Sequence, residues 1–282
     1  MSITCFVPEV WSESMLHALD GKYVGVANCN REYEGEIRER GNTVRICGLN
    51  AITVADYTKN TDISAPEALT DSAKKLTVDQ AKYFNFQIDD LDRVQSRPAL
   101  MNAAIRNAAQ VLAAAADQYI YSMTKYAGNL ITCTPATATD LIDMIIDART
   151  KLFAANVTDP SDIVVEISPE VAAQILKAKA TLCTDNSDCL EHGYIGSIAG
   201  CRIFVSNQIG VTENTANSTV THSCIARTRR AIAFAEQLSQ IEAYRPESRF
   251  ADAVKGLHLY GAKVIYPQEM VEMKVVYSTS AD

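Results

Sequence analysis

Apolar and polar side chains alternate along residues 83–90, which is the period-two pattern of a strand with one covered face. Residues 41–46 and 51–54 also favour β structure. Between these segments, residues 56–75 are polar and hold few large apolar side chains. A loop of this length is unusual inside a compact domain and too polar to bury itself. We therefore expect a projecting arm, flanked by strands, that contacts other copies of the chain.

A single long helix is predicted over residues 98–126. Pro98 suits the first turn of a helix, and Gly128 follows as a plausible C-terminal stop. At 1.5 Å per residue, such a helix would be about 43 Å long. Its apolar residues recur at steps of three and four, as in a helix with one buried face: Met101, Ile105, Ala108, Leu112, Ala115, Tyr119, Met123 and Tyr126.

Helices and strands alternate after residue 131. Thr139 is a candidate cap for one helix, and Ser168 followed by Pro169 favours the start of another. The predicted strands cover residues 163–167, 201–205, 224–234, 238–244, 254–263 and 270–277. Together with the first half of the chain, this pattern predicts an α+β fold.

Composition and charge limit the possible functions. The 282 residues are 48% hydrophobic and 21% charged, as in a globular protein. A net charge of −8 with dispersed basic residues disfavours direct binding of nucleic acid, although an acidic wall could enclose a nucleic acid without gripping it. No apolar run is long enough to cross a bilayer, and the start lacks a basic region followed by an apolar one. We expect no membrane association.

No motif in the chain predicts catalysis, a cofactor or a metal site. The four histidines are scattered, and residues 193–200 match neither a phosphate-binding loop nor a nucleophile elbow. The eight cysteines are expected to be reduced and mostly buried, and only Cys183 and Cys189 are close enough to suggest a local disulfide or metal pair. We expect no enzyme activity and no cofactor.

Charged and aromatic side chains near the arm and near residue 228 are candidates for contacts between subunits. Solvated charge is the alternative for Lys74 and Lys75. For the acidic cluster at Asp89, Asp90 and Asp92, solvation, capping or pairing with Arg93 and Arg97 is favoured over acid/base catalysis. Arg227 and Arg229 are expected on one face of a strand, in an inter-subunit salt bridge or on a charged edge. The predicted contact residues are Tyr57, Lys59, Lys74, Lys75, Asp89, Asp90, Arg97, Arg227 and Arg229.

The order of these parts resembles the major capsid proteins of tailed bacteriophages with the Hong Kong 97-like fold. The resemblance rests on an N-terminal arm, a long extended loop, the return strand at 83–90, the link at 95–98 and an Ala-rich spine helix. It continues through residues 196–207 and 241–264 and covers most of the chain.

This resemblance implies an α+β subunit with a discontinuous peripheral domain. The N-terminal arm would comprise residues 1–40 and the extended loop, a β-hairpin, residues 41–82. The peripheral domain would comprise residues 83–130 and 241–282, with the spine helix at 98–126, and the axial domain residues 131–240.

The resemblance also implies a function. Copies would form hexamers and pentamers in an icosahedral shell around double-stranded phage DNA that is enclosed without sequence-specific binding. A separate scaffolding protein and a portal would assist, with assembly in the cytoplasm of the bacterial host and the virion as final location. The alternatives are an encapsulin-like nanocompartment shell and a small soluble hydrolase using Ser197 or a cysteine with His192.

Overall fold

A computed structural model describes most of the chain, and the fold below refers to these residues alone. They are residue 19, 21–33, 43–49, 56, 57, 59, 62, 71–89, 99–135, 137–157, 159–177, 194–215, 217–248 and 251–278. Within them the chain forms three α-helices and three β-sheets, which confirms the α+β prediction. No helix among the described residues is both long and apolar enough to cross a membrane.

The helices and strands are numbered in chain order. The helices are α1 (Ala99–Tyr121), α2 (Ala138–Ala154) and α3 (Pro169–Lys177). The strands are β1 (Thr43–Leu49), β2 (Asp71–Thr77), β3 (Gln80–Asp89), β4 (Asn129–Cys133), β5 (Ile163–Ile167), β6 (Tyr194–Ile198), β7 (Cys201–Val205), β8 (Val211–Asn214), β9 (Thr219–Thr228), β10 (Ile232–Tyr244), β11 (Ala251–Val264) and β12 (Met270–Ser278). Short 3₁₀ turns lie at Val26–Asn28, Ser122–Tyr126, Pro160–Asp162, Arg229–Ala231 and Pro267–Glu269.

Helix α1 packs against a three-stranded antiparallel sheet in the order β10-β11-β3. Leu112 and Ile120 of the helix share a buried cluster with Phe234 and Tyr260 of the sheet. The helix has 23 residues, or about 35 Å, and its last predicted turn is a 3₁₀ turn instead. The predicted spine helix is therefore confirmed, with an α-helical part that ends at Tyr121.

Strands β1 and β2 form an antiparallel hairpin on the opposite face of that sheet. Val44 and Leu76 of the hairpin are buried in a cluster with Ala235 and Leu259. Strand β2 begins at Asp71, inside the segment predicted to be a polar excursion. It forms there because its backbone pairs with β1 throughout, from Thr43–Thr77 to Leu49–Asp71, which offsets its polar composition.

The third sheet has seven strands, in the order β4-β12-β9-β5-β7-β6 with β8 also paired to β9. Helices α2 and α3 cover one of its faces with a core that includes Leu141, Ile145 and Ile175. The N-cap of α2 is Thr137, not Thr139 as predicted, because Asp140 accepts hydrogen bonds from both the backbone N–H and the hydroxyl of Thr137.

The predicted domain boundaries stay a prediction, but the strand pairing bears on where a division would fall. The predicted junction between residues 240 and 241 lies inside strand β10. Strand β12, predicted to belong with the spine helix, pairs with β4 on one side and β9 on the other. A division that follows the sheets would therefore group β12 with the seven-stranded sheet.

Candidate functional site: assembly surfaces and the anchors of the N-terminal strap

Residues 21–33, called the strap from here on, run between helix α1 and two of the sheets. Tyr23 and Val26 are completely buried in the cluster around α1. Asn30 continues the strap along β10, where its N–H donates to Ile232 O and its carbonyl accepts from Phe234 N, both at 2.9 Å. The strap thus contacts α1 and β10 directly, and three buried carboxylates hold it in place.

The first anchor is Asp117 on α1, which is 2% exposed. Its two carboxylate oxygens accept the backbone N–H groups of Val24 and Val26, each at 2.9 Å. Burial raises the pKa of Asp117 to about 6, although these two hydrogen bonds act to lower it. Gly25 lies between the two donors, where a Cβ would sit only 3.1 Å from the Tyr121 ring.

The second anchor is the ion pair of Glu166 on β5 and Arg227 on β9, both 0% exposed. Two guanidinium nitrogens of Arg227 donate to the Glu166 carboxylate at 3.1 Å. The same guanidinium donates at 2.8 Å to the carbonyls of Gly25 and Asn28 in the strap. Asn28 Nδ2 donates to Glu166 at 3.1 Å, so the strap and the seven-stranded sheet share one polar network. Burial raises the pKa of Glu166, which Arg227 opposes.

The third anchor is Glu236 on β10, which is 9% exposed. Tyr23 Oη and Arg31 Nη2 of the strap each donate to it at 2.5 Å, and His258 Nε2 lies 2.9 Å away. Burial acts to raise the pKa of Glu236, but the hydrogen bonds of His258 and Tyr23 together lower it below its ordinary value. Glu236 therefore joins the strap to the three-stranded sheet as a charged acceptor.

The structure places the predicted contact residues at several separate positions. Tyr57 is 71% exposed, and Lys59 and Lys75 are also exposed. Lys74 is half-buried and donates from Nζ to the carbonyl of Ile265. The backbone of Asp89 pairs with Ala251, while Asp90 and Arg97 lie outside the described residues. Their role in contacts between subunits stays a prediction.

Arg227 and Arg229 do not share a face, which corrects the sequence-based expectation. Strand β9 ends at Thr228, so Arg229 begins a 3₁₀ turn and is exposed, whereas Arg227 is wholly enclosed. The partners of Arg227 are in its own chain, and we leave this residue out of the contact set that we propose.

The described residues offer little that resembles a catalytic or metal centre. No group of three or more potential metal ligands occurs among them. Cys29, Cys201 and Cys224 are buried free thiols, and burial raises the pKa of Cys224 to about 12. Nε2 of His222 lies 3.1 Å from the Oε2 atom of Glu170. Ser197 lies in β6, but His192, Cys183 and Cys189 are outside the described residues.

Grooves and several exposed aromatic side chains lie on the surface of the described part. A groove of about 320 Å³ lies over the three-stranded sheet beside Tyr83, which is 79% exposed. A second groove, of about 530 Å³, lies between the hairpin and the end of α1, where Tyr126 is 57% exposed. Large exposed aromatic groups on a single subunit are typical of surfaces that a partner covers.

The three anchors were not identified from the sequence, although two left a signal there. Glu166 and Arg227 are each the lone charged residue in an apolar strand segment. A charged side chain that is buried in a protein is usually paired with one of opposite charge. Asp117 lies three residues before Ile120 and four after Ala113, and so belongs to the buried face of α1.

Comparison with known proteins gives consistent structural matches. The chain matches no protein-family model and no curated protein at a significant level. Among solved structures, a chain of Mycobacterium phage Che8 is 31% identical, with a TM-score of 0.69 over 89% of this chain and 90% of the other. The capsid of Ralstonia phage GP4 is 11% identical, with a TM-score of 0.68 over 94% and 92%. The virus-like particle from Pyrococcus furiosus is 11% identical, with a TM-score of 0.57 over 94% and 98%.

The long helix, the hairpin across a three-stranded sheet and the separate seven-stranded sheet define a subunit of the Hong Kong 97-like capsid class. Since the Che8 chain is 31% identical over nine tenths of both chains, the similarity extends beyond the fold. The chain belongs to the major capsid proteins of tailed bacteriophages. It is a structural protein that forms a shell from copies of itself.

Proposed function

We propose that this coat protein assembles through hexamers and pentamers into an icosahedral shell that encloses double-stranded phage DNA. The observation that carries the proposal is the anchored hairpin. Strands β1 and β2 are fixed to the subunit by buried Val44 and Leu76, while 15 of the 21 residues that join them, 56–70, belong to the polar segment of the sequence. Many modest contacts of such a segment with neighbours would add up around a closed shell.

The net charge of −8 supports enclosure of DNA without sequence-specific binding, because an acidic wall repels the phosphates that it surrounds. We propose a separate scaffolding protein and a portal as partners, and assembly in the cytoplasm of the bacterial host. The contact residues that we carry forward are Tyr57, Lys59, Lys74, Lys75, Asp89, Asp90, Arg97 and Arg229.

The function is tested by size-exclusion chromatography and negative-stain microscopy of the purified protein. We expect closed particles, whereas a discrete monomer or dimer under all conditions would contradict shell formation. Particles isolated from the producing host should contain double-stranded DNA of uniform length once the partner proteins are present.

A second version of the function is a nanocompartment that encloses a protein cargo. The virus-like particle from Pyrococcus furiosus shares the fold, so this version uses the same subunit architecture. Mass spectrometry and DNA extraction of host-derived particles distinguish the two functions. A cargo protein in constant ratio to the coat protein, with no DNA, would contradict the enclosure of a genome.

The role of the hairpin is tested by shortening it at the tip. Replacing residues 50–70 by an Asn-Gly turn keeps the pairing of Leu49 with Asp71, since a two-residue turn of this type joins directly paired strand ends. We expect a folded subunit that forms no stable particles. Normal particles from this variant would show that residues 50–70 are not needed for assembly, and thermal unfolding of the unassembled variant is the control for folding.

A further inference from the structure

The strap supplies hydrogen-bond partners to charged groups of the body that are buried in the folded subunit. The Asp117 carboxylate accepts from Val24 and Val26, and both donors belong to the strap. A buried carboxylate without its donors costs more than the net value of the hydrogen bonds that it loses. Without the strap, the Asp117 carboxylate would lose both of these donors.

The same holds at the other two anchors. The Arg227 guanidinium uses Glu166 on its own sheet, but its other two oxygen partners are the carbonyls of Gly25 and Asn28. At Glu236, His258 is a partner within the three-stranded sheet, while Tyr23 and Arg31 come from the strap. The anchors lie on helix α1, on strands β5 and β9 of the seven-stranded sheet, and on strand β10 of the three-stranded sheet.

We propose that the channel formed by Asp117, the Glu166–Arg227 pair and Glu236 is a binding site whose ligand is the strap, and that strap binding fixes the two large sheets relative to each other. The site binds backbone groups of Val24, Gly25, Val26 and Asn28. It also binds the side chains of Tyr23, Asn28 and Arg31. The strap acts as a separately docked segment, so it opens and closes while the strands beneath it stay folded.

Both apolar and polar contacts hold the strap in place. Tyr23 and Val26 are fully buried, so the strap contributes apolar area in addition to the hydrogen bonds. Its backbone, however, lies beside no continuous ladder: the strap has one isolated bridge, between Asn30 and Ala233. The side-chain anchors therefore fix the position of the strap, as continuous backbone pairing fixes the position of a strand.

The test is hydrogen exchange of the full-length chain, followed by mass spectrometry of peptides that cover residues 21–33. Asn28→Ala removes the donor to Glu166 and to the Val24 carbonyl, and Tyr23→Phe removes the donor to Glu236. Both changes are in the strap, so the body keeps all its own residues. We expect exchange in the strap to rise at least tenfold in the double variant, with strands β5, β9 and β10 changed less than twofold.

The control is Lys22→Ala, an exposed strap residue, which should leave exchange in the strap unchanged. The proposal is overturned if the double variant accelerates exchange in the strap and in the strands by the same factor, since the strap would then unfold only with the whole subunit. It is also overturned if the double variant exchanges like wild type.

A second measurement does not depend on substitution within the strap. A protease site is inserted into residues 34–40 of the full-length chain, and the cut protein is passed over a size-exclusion column. We expect the N-terminal fragment to stay with the body and to be lost at least tenfold faster from the Tyr23→Phe/Asn28→Ala protein. Immediate separation of the wild-type fragment would refute a binding site that holds the strap.

Discussion

Glu166 and Arg227 are both completely buried, and each is the partner that makes the other tolerable. Removing one member of such a pair leaves an uncompensated charge in a medium of low polarity, which typically costs about 3–5 kcal/mol. Their hydrogen bonds to Gly25 and Asn28 extend the effect to the strap.

We expect Arg227→Met to lower the free energy of unfolding of the unassembled subunit by about 3 kcal/mol or more. The double variant Arg227→Met/Glu166→Gln should be less destabilised than Arg227→Met alone, because neither of these two positions then holds an unpaired charge. Urea unfolding of the two single variants and the double variant measures this coupling. Strictly additive effects would show that the two groups do not depend on each other.

Asp117 predicts a specific pH dependence. Burial raises its pKa from 3.8 to about 6, so the folded subunit binds a proton at this group more tightly than the unfolded chain does. The stability that this group contributes is therefore complete below about pH 4 and is lost as the pH rises through about 6. Wild type should gain about 1 kcal/mol from Asp117 between pH 7.5 and pH 5.

The comparison variant is Asp117→Asn, which cannot titrate. Its free energy of unfolding, relative to that of wild type, should fall by that same amount as the pH falls from 7.5 to 5, because only wild type gains stability from the protonation of Asp117. Both proteins are measured by urea unfolding of unassembled subunits, so that other titrating groups cancel in the difference. A difference that is independent of pH would contradict the raised pKa.

At the scale of single elements, the close approach of β11 to the end of the hairpin depends on Gly261. A Cβ at this position would lie less than 3.0 Å from the carbonyl oxygen of Thr77 and the Cα of Val78, which are backbone atoms and cannot rotate away. Gly210, by contrast, has open space where a Cβ would be. The two glycines form a matched pair for testing how the hairpin is seated.

We expect Gly261→Ala to destabilise the subunit by about 1–3 kcal/mol, the usual cost of overpacking, and to displace β2 from the sheet. Gly210→Ala should change stability by less than about 0.5 kcal/mol. Thermal unfolding of the two variants gives the comparison. Equal effects at the two positions would mean that the contact with Thr77 is not restrictive.

Helix α1 shows how much of an element could be predicted from the sequence. The long helix was predictable because its apolar residues recur over seven turns, yet the predicted buried positions Ala108, Ala115 and Tyr119 are only half-buried. These three residues lie at one edge of the buried face, which is centred instead on Ala109, Ala116 and Ile120. In an alanine-rich stretch, hydrophobicity alone cannot distinguish these two faces.

Gly128 was predicted to end the helix, and the structure gives it a different role. The α-helix ends at Tyr121, and Gly128 lies where a Cβ would come 2.7 Å from the carbonyl oxygen of Pro267. Its N–H donates to that same oxygen at 2.7 Å. The requirement for glycine comes from a residue 139 positions later in the chain, which no local pattern reveals.

At the scale of the whole molecule, the fold class and the family were predictable because the order of the parts carries them. The three carboxylate anchors were not, because each depends on strap residues that lie 91 or more positions away in the chain. Contacts between subunits remain a prediction at this scale, and the exposed aromatic residues provide a direct measurement of them.

We expect hydroxyl-radical labelling of Tyr57 and Tyr83 to fall severalfold when subunits assemble into particles, because these side chains are 71% and 79% exposed in the single chain. Tyr23, which is completely buried within the subunit, should be labelled equally little in both states. Mass spectrometry of labelled peptides gives the ratio. Unchanged labelling of both exposed tyrosines would place them on a free surface of the particle.

The position of strand β12 determines when a newly made subunit can complete its fold. It is inserted between β4 and β9, and its residues Met270, Val271, Met273 and Val275 are completely buried. A ribosome must therefore translate as far as residue 278 before the sheet that began at residue 129 can close. A growing polypeptide that lacks β12 therefore cannot complete this sheet, and it can join a particle only after this strand has been made.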